Sequence, residues 1–428
     1  GRTHRGCCGG VKNEEGDAGM RLLRRMLNMA LYACLTAVVS FLLLLGADRM
    51  LPLACRIPPY VPALSAMKMP NPSQRWVSCD FDCVSHANSL GLRGPEVSIP
   101  KKGGFRIAVI GSSCTFGWGV NDDACFVRLL ERGLRDRGID VEVLNLGKNG
   151  ASPPQYALLA EETLPLFRPD LVIVAVDQGI DLEWANPAPM RERMSHEAWM
   201  RWPNLSSLIN AQGTPQETLS PMPDPTADEV ASAKKWAIQL AQKTYDEFTP
   251  VERARFDALD AEVKTVFFAG NLNLGILQLS TGNPDLYTLT LDMNSEHTRE
   301  RLVRFGKYLR RVARAAEKVS ASTLIVSVPL GVYVNEDSLK NFQRLGFQAV
   351  DGMLTVTTPD DAIKEAAGKL PFLTVTDAFR RQSSNPRLFF KSDLHMTADG
   401  HALFAEQILP WVEKHVRETM SKPAGRES

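Results

Sequence analysis

Arg106-Ile107-Ala108-Val109-Ile110-Gly111-Ser112-Ser113 is the stretch on which the fold turns. An unbroken apolar run closed by a Gly reads as a short strand, buried on both faces, that must turn sharply where it ends. Similar runs follow at Val141-Glu142-Val143-Leu144, Leu171 to Val176, Thr323 to Val328 and Phe372-Leu373-Thr374-Val375. Between them the apolar residues fall at helical spacing. Asp122 or Asp123 can cap a helix that buries Phe126, Leu129, Leu130 and Leu134. A second helix spans about Pro154 to Leu166, and a third about 297–319. The last runs from about Gly400 to Val416, with Pro410 bending or interrupting it. Strands joined by helices predict a parallel, five-stranded sheet covered on both faces, a three-layer α/β/α fold. Ligands in such sheets sit at the carboxyl ends of the strands. Ser113, Gly150 and the segment Asp177 to Asp181 all fall just past a strand on that edge.

The second decisive stretch is Asp393-Leu394-His395-Met396-Thr397-Ala398-Asp399-Gly400-His401. A Ser past a strand and an Asp-x-His far downstream supply a nucleophile, Ser113, a base, His395, and an orienter, Asp393. His401, after Gly400 at a helix start, reads as structural. The Gly111-to-Gly117 spacing without a following Lys excludes a phosphate-binding P-loop.

Both stretches resemble the SGNH (GDSL-type) hydrolase family. Gly111-Ser112-Ser113 is similar to its Gly-Asp-Ser block, with Ser112 in place of the Asp. Asp393, His395 and Gly400-His401 match its last block. Ala87 to Gly94 looks like the segment preceding the first block in a membrane-attached branch. The resemblance covers roughly residues 86–182 and 322–412. It implies a flavodoxin-like sheet, an acyl-serine intermediate on Ser113, and an oxyanion hole from the N–H groups of Ser113 and Gly150. The family's third block ends in Asn-Asp, and that Asn donates to the oxyanion. Here Ile180 stands at its position, and Ile donates no hydrogen bond. Gln178 or Asn186 is the expected substitute.

Lys+Arg and Asp+Glu both number 49 in 428 residues. Zero net charge argues against nucleic acid, which needs a basic surface. Leu27 to Gly46 is almost wholly apolar and, at 1.5 Å per residue, spans about 30 Å, the thickness of a bilayer core. Arg21, Arg24 and Arg25 precede it, which places the N-terminus in the cytoplasm and the bulk of the chain outside. Met20 opens such an anchor, with residues 1–19 reading as an extension ahead of it. Of eight Cys, Cys55, Cys79, Cys83, Cys114 and Cys125 would lie in an oxidising space. Cys79-x-x-x-Cys83 reads as a local disulfide or as two unpaired thiols.

The expected organisation is a cytoplasmic segment 1–26, an anchor 27–46 and a Pro-rich stalk 47–75. An SGNH-like domain follows in two parts, 76–182 and 296–416, with a tail 417–428. A helical insertion, 183–295, separates the two parts. Capping boxes at Thr226 with Glu229 and Thr249 with Glu252 mark its helices, and Pro250 takes a first helical position. The insertion reads equally as a lid or as a packing appendage. The functional expectation is a membrane-anchored, extracytoplasmic esterase cleaving an acyl ester, acetyl first, of a carbohydrate or lipid, without metal or organic cofactor. An O-acyltransferase for a cell-envelope polysaccharide and a non-catalytic binding protein that kept the fold are the alternatives.

Overall fold

The computed structural model describes residues 14–55, 69, 73–185 and 226–421. It divides into two units. The described part of the first is a single helix, Glu14–Cys55. Within it Leu23–Asp48 is long and apolar enough to cross a membrane, with a mean hydropathy of 2.3. The helix runs on to Cys55, past residue 47, where a stalk is expected from the sequence; residues 56–68 and 70–72 of that stretch lie outside the described residues. Ala47, Met50, Leu51, Leu53 and Ala54 are mostly good helix formers that outweigh one Pro.

The second unit holds a two-stranded hairpin and a five-stranded sheet. The hairpin pairs β1 (Ser73–Val77) antiparallel with β2 (Asp82–His86). The sheet is built from β3 (Phe105–Gly111), β4 (Val141–Gly147), β5 (Leu171–Asp177), β6 (Ser322–Val328) and β7 (Phe372–Thr374). Every pairing is parallel, in the order β4-β3-β5-β6-β7. The chain thus leaves the centre in one direction for β4 and the other for β5. That is the flavodoxin-like arrangement, with its crevice at the reversal, beside β3.

The residues of β3 alternate between two cores, as the period of a strand requires. Ile107 and Val109 pack with Phe126, Leu130, Phe404, Ile408 and Val412 on one face. Ala108 and Ile110 pack with Tyr156, Leu164, Phe305, Leu309 and Ile363 on the other. The first face is covered by helices Phe126–Arg135 and Ala398–Met420, the second by Pro153–Phe167, Glu296–Glu317 and Thr358–Ala367.

Two local expectations change. Neither Asp122 nor Asp123 caps the helix at Phe126 with its side chain; they form one turn of 3-10 helix ahead of it. Asp122 instead accepts from buried Arg93, an ion pair stronger than a cap to a neutral N–H. The last helix is also continuous across Pro410. Its lost hydrogen bond is outweighed by the buried row Leu403, Phe404, Ile408, Val412 and Val416.

The described part of the insertion is helical: Ala227–Glu247, Pro250–Asp257, Ala261–Phe268 and Leu274–Gly282. Both capping boxes form, and Pro250 sits in the first turn. These helices share a third core, in which Phe256, Phe267 and Leu277 meet Tyr287, Phe342 and Leu394.

Candidate active site

The carboxyl ends of β3, β4, β5 and β6 and the turn before the last helix build the site. Ser113 opens the short helix Ser113–Phe116 directly after β3. A Cβ on Gly111 would stand 2.1 Å from Thr115 Oγ1 and 2.8 Å from the Ala175 carbonyl, so only Gly lets this turn close down on β5. Arg93 then pins the chain that follows. Its guanidinium is buried and donates to the carbonyls of Phe116 (2.9 Å), Gly117 and Val120 (2.6 Å) while pairing with Asp122 (2.6 Å).

The turn Asp393-Leu394-His395 is strained. Leu394 has φ of +70°, a left-handed conformation unusual for Leu. That twist brings Asp393 Oδ1 to 2.5 Å from His395 Nδ1. His395 Nε2 in turn lies 2.7 Å from Ser113 Oγ. The turn is held from outside the sheet. Asp80, in the hairpin turn, accepts the N–H groups of Ser392 (2.6 Å) and Asp393 (2.7 Å). Asp393 Oδ2 accepts from Trp118 Nε1 (2.9 Å) and from Asn273 Nδ2 (3.1 Å). Trp118 is itself packed against Trp76 and Phe81 of the hairpin.

Burial disfavours a charge on His395, but the charge and hydrogen bonds of Asp393, with the charge of Asp177, outweigh it, and its pKa is raised. His401 is different. Burial, then the charges of Arg93 and His395, push it down to about 3. It lies stacked on Phe126, away from the Ser113–His395 contact, as a neutral core residue. Ser112, where the family's Asp would stand, donates its hydroxyl to Asp177. Burial raises the pKa of Asp177, against the hydrogen bond from Ser112.

Ser113, Gly150 and Ile180 line one cavity. Among the described residues no carbonyl accepts the N–H of Ser113 or Gly150. Gly150 has φ of +70°, a conformation open to Gly at little cost. Ile180 opens the helix Ile180–Glu183, so an apolar side chain does stand in the cavity. Gln178, the expected substitute donor, is not there. Its amide is consumed elsewhere, donating to Asp360 and Thr376 (both 2.8 Å) and accepting from Leu330 N–H (3.2 Å). With Ser327 Oγ also accepting at 3.3 Å, four partners hold this amide away from the cavity. Asn186 lies outside the described residues. Of the two amides that do line the cavity, Asn273 is bonded to Asp393, and Asn149 has a buried, unpartnered Oδ1. It sits next to Gly150 in the turn after β4, and its adjacency to the expected oxyanion Gly was the one available signal. Arg93 lies in the Ala87 to Gly94 stretch, which carried no role for it, and Asp80, Trp118 and Asn273 carried no motif at all. Cys79, Cys83, Cys114 and Cys125 are free thiols.

The cavity measures about 210 Å³. Among the described residues its charged lining side chains are Asp177, Asp393 and His395. Ile276 and Leu279 from the insertion, with Tyr287, Leu330, Phe342 and Leu394, make an apolar wall.

Fold and site define a doubly wound α/β/α protein carrying a Ser–His–Asp hydrogen-bonded series at its switch-point crevice. No family model matches the sequence, and no curated protein matches it. Solved structures similar to the chain include a catalytic mutant of an acetylxylan esterase from Geobacillus stearothermophilus, 12% identical over 72% of this chain and 93% of that one, TM-score 0.34. A GDSL-like lipase from Bacteroides thetaiotaomicron is 11% identical over 74% and 93%, TM-score 0.33. A member of the lipolytic G-D-S-L family from Veillonella parvula is 10% identical over 72% and 97%, TM-score 0.32.

Proposed function

We propose that the chain is a serine esterase of SGNH type, anchored by the helix around Leu23–Asp48 and acting outside the cytoplasm. The observation that carries the reading is the series Ser113 Oγ, His395 Nε2, His395 Nδ1, Asp393 Oδ1, at 2.7 and 2.5 Å, opening into a cavity. Asp393 holds the imidazole with its proton on Nδ1, leaving Nε2 free to accept. Ser113 Oγ attacks the ester carbonyl as His395 takes its proton. The N–H groups of Ser113 and Gly150 then stabilise the oxyanion. The tetrahedral intermediate collapses, the C–O bond to the alcohol breaks, and His395 returns the proton to the leaving oxygen. Water, activated by the same base, releases the acid and restores Ser113. The Arg cluster ahead of the anchor supports an external catalytic domain.

The test is covalent labelling of the full chain in mild detergent with a fluorophosphonate, followed by peptide mapping. The label should fall on Ser113, and Ser113→Ala should lose both labelling and ester turnover at unchanged thermal stability. Equal labelling of the variant overturns the reading. Absence of label on a folded parent favours a non-catalytic binding protein.

A further inference from the structure

Resting on the esterase reading, we infer that the acyl group is an aliphatic chain of about four to eight carbons, and that the insertion selects it. Beyond His395 the cavity is walled by Ile276, Leu279, Tyr287, Leu330, Phe342 and Leu394. All but Leu279 belong to the third buried core, which the insertion shares with residues 330–394, and Leu279 packs against that core; Ile276, Leu279 and Tyr287 are the insertion's share of the wall. The wall is therefore a pre-formed part of a packed core rather than a surface loop. Its helix Leu274–Gly282 is anchored beside the reacting groups. Asn273 caps it through Oδ1, accepting from Gly275 N–H at 3.1 Å, while its Nδ2 holds Asp393.

Size and polarity set the occupant. An apolar cavity of about 150 Å³ takes a benzene ring. A space of about 210 Å³ is thus filled by a short to medium alkyl chain with its carbonyl at Ser113. An acetyl methyl would leave most of the wall without contacts, forfeiting dispersion and leaving apolar surface uncovered. A sugar ring against that wall would find the Tyr287 hydroxyl and otherwise hydrocarbon for its several hydroxyl groups. Of the charged lining groups, Asp393 is bonded to His395, Trp118 and Asn273, and Asp177 Oδ2 to Ser112, while Asp177 Oδ1 has no partner among the described residues.

The experiment compares kcat/KM of the full chain for p-nitrophenyl acetate, butyrate, hexanoate, octanoate and dodecanoate, with fluorophosphonate labelling in parallel. Each added methylene should raise kcat/KM by about fourfold while it finds wall to cover. Hexanoate should then exceed acetate by about two orders of magnitude, and dodecanoate should fall back. Leu279→Trp, which fills the cavity, should lower the hexanoate-to-acetate ratio at least tenfold. Ile276→Ala, which cannot clash, should move the optimum toward octanoate. Acetate as the best substrate of a protein that labels at Ser113 overturns the acyl-chain inference and leaves the esterase reading standing. No turnover of any ester and no label overturns both. A length optimum that neither variant moves removes the insertion from the selection.

Discussion

The edge of the sheet and the wall of the insertion meet in one cavity but are made differently. The sheet edge places Ser113 and Gly150 on turns directly joined to β3 and β4, whose backbones are locked by parallel pairing along their full length. The insertion reaches the wall chiefly through one helix, Leu274–Gly282, and its single side chains Ile276 and Leu279. Rigid backbone positions the groups that make and break bonds. Replaceable side chains position what those bonds connect. Changes on the edge should therefore alter rate for every substrate, and changes on the wall should alter preference or tune the base.

The sharpest test of the edge is Asp393→Asn. It should cut turnover about 10⁴-fold, because an amide favours the wrong imidazole tautomer. It should also move the acid limb of kcat/KM. His395 must be neutral to accept a proton, and its pKa is raised chiefly by Asp393 against burial. In the parent, activity should therefore climb only above pH 6.5, the ordinary His value. In the variant, the residual activity should persist to lower pH. An unmoved limb would take Asp393 out of the series.

A smaller effect, of opposite sign, is expected at Ile180, the apolar residue that opens the helix after β5. Ile180→Asn adds an amide donor to a cavity now served by two backbone N–H groups and faced by Asn149. A productive donor is worth up to about 100-fold in turnover. If the folded variant gains nothing and Asn149→Ala loses at least tenfold, Asn149 already fills that role, and the edge repaired itself from β4 rather than β5.

Asn273→Ala should have the mildest effect, about tenfold, since Asp393 Oδ2 keeps its bond to Trp118. The loss should appear in kcat with the acid limb slightly displaced. The hexanoate-to-acetate ratio should stay near that of the parent. A change in the ratio alone would make Asn273 part of the wall rather than a support of the turn.

How much of this was legible follows the same division. The five strands, their order along the chain and the sites at their ends could be read from buried runs and turn residues, because a strand buried on both faces needs a contiguous apolar segment. Ser113, Asp393 and His395 stood out because each lies in a short motif. Gln178 did not reach the cavity, although it lies two residues from Ile180. Its path was decided by Asp360 and Thr376, 182 and 198 residues away, and nothing local announces such partners.

The doubly wound sheet, the apolar N-terminal helix, the capping of the insertion helices and the residues that meet at the sheet edge were all readable from residue order. All of these depend on periodicity or on neighbours a few positions apart. That Arg93 pins the loop after Ser113, that Asp80 and Asn273 hold the Asp393 turn, and that the insertion lends Ile276, Leu279 and Tyr287 to a wall of the site emerged with the folded chain. Each joins segments far apart in the chain through buried hydrogen bonds or apolar packing. Such contacts exist only once the whole chain has closed around them.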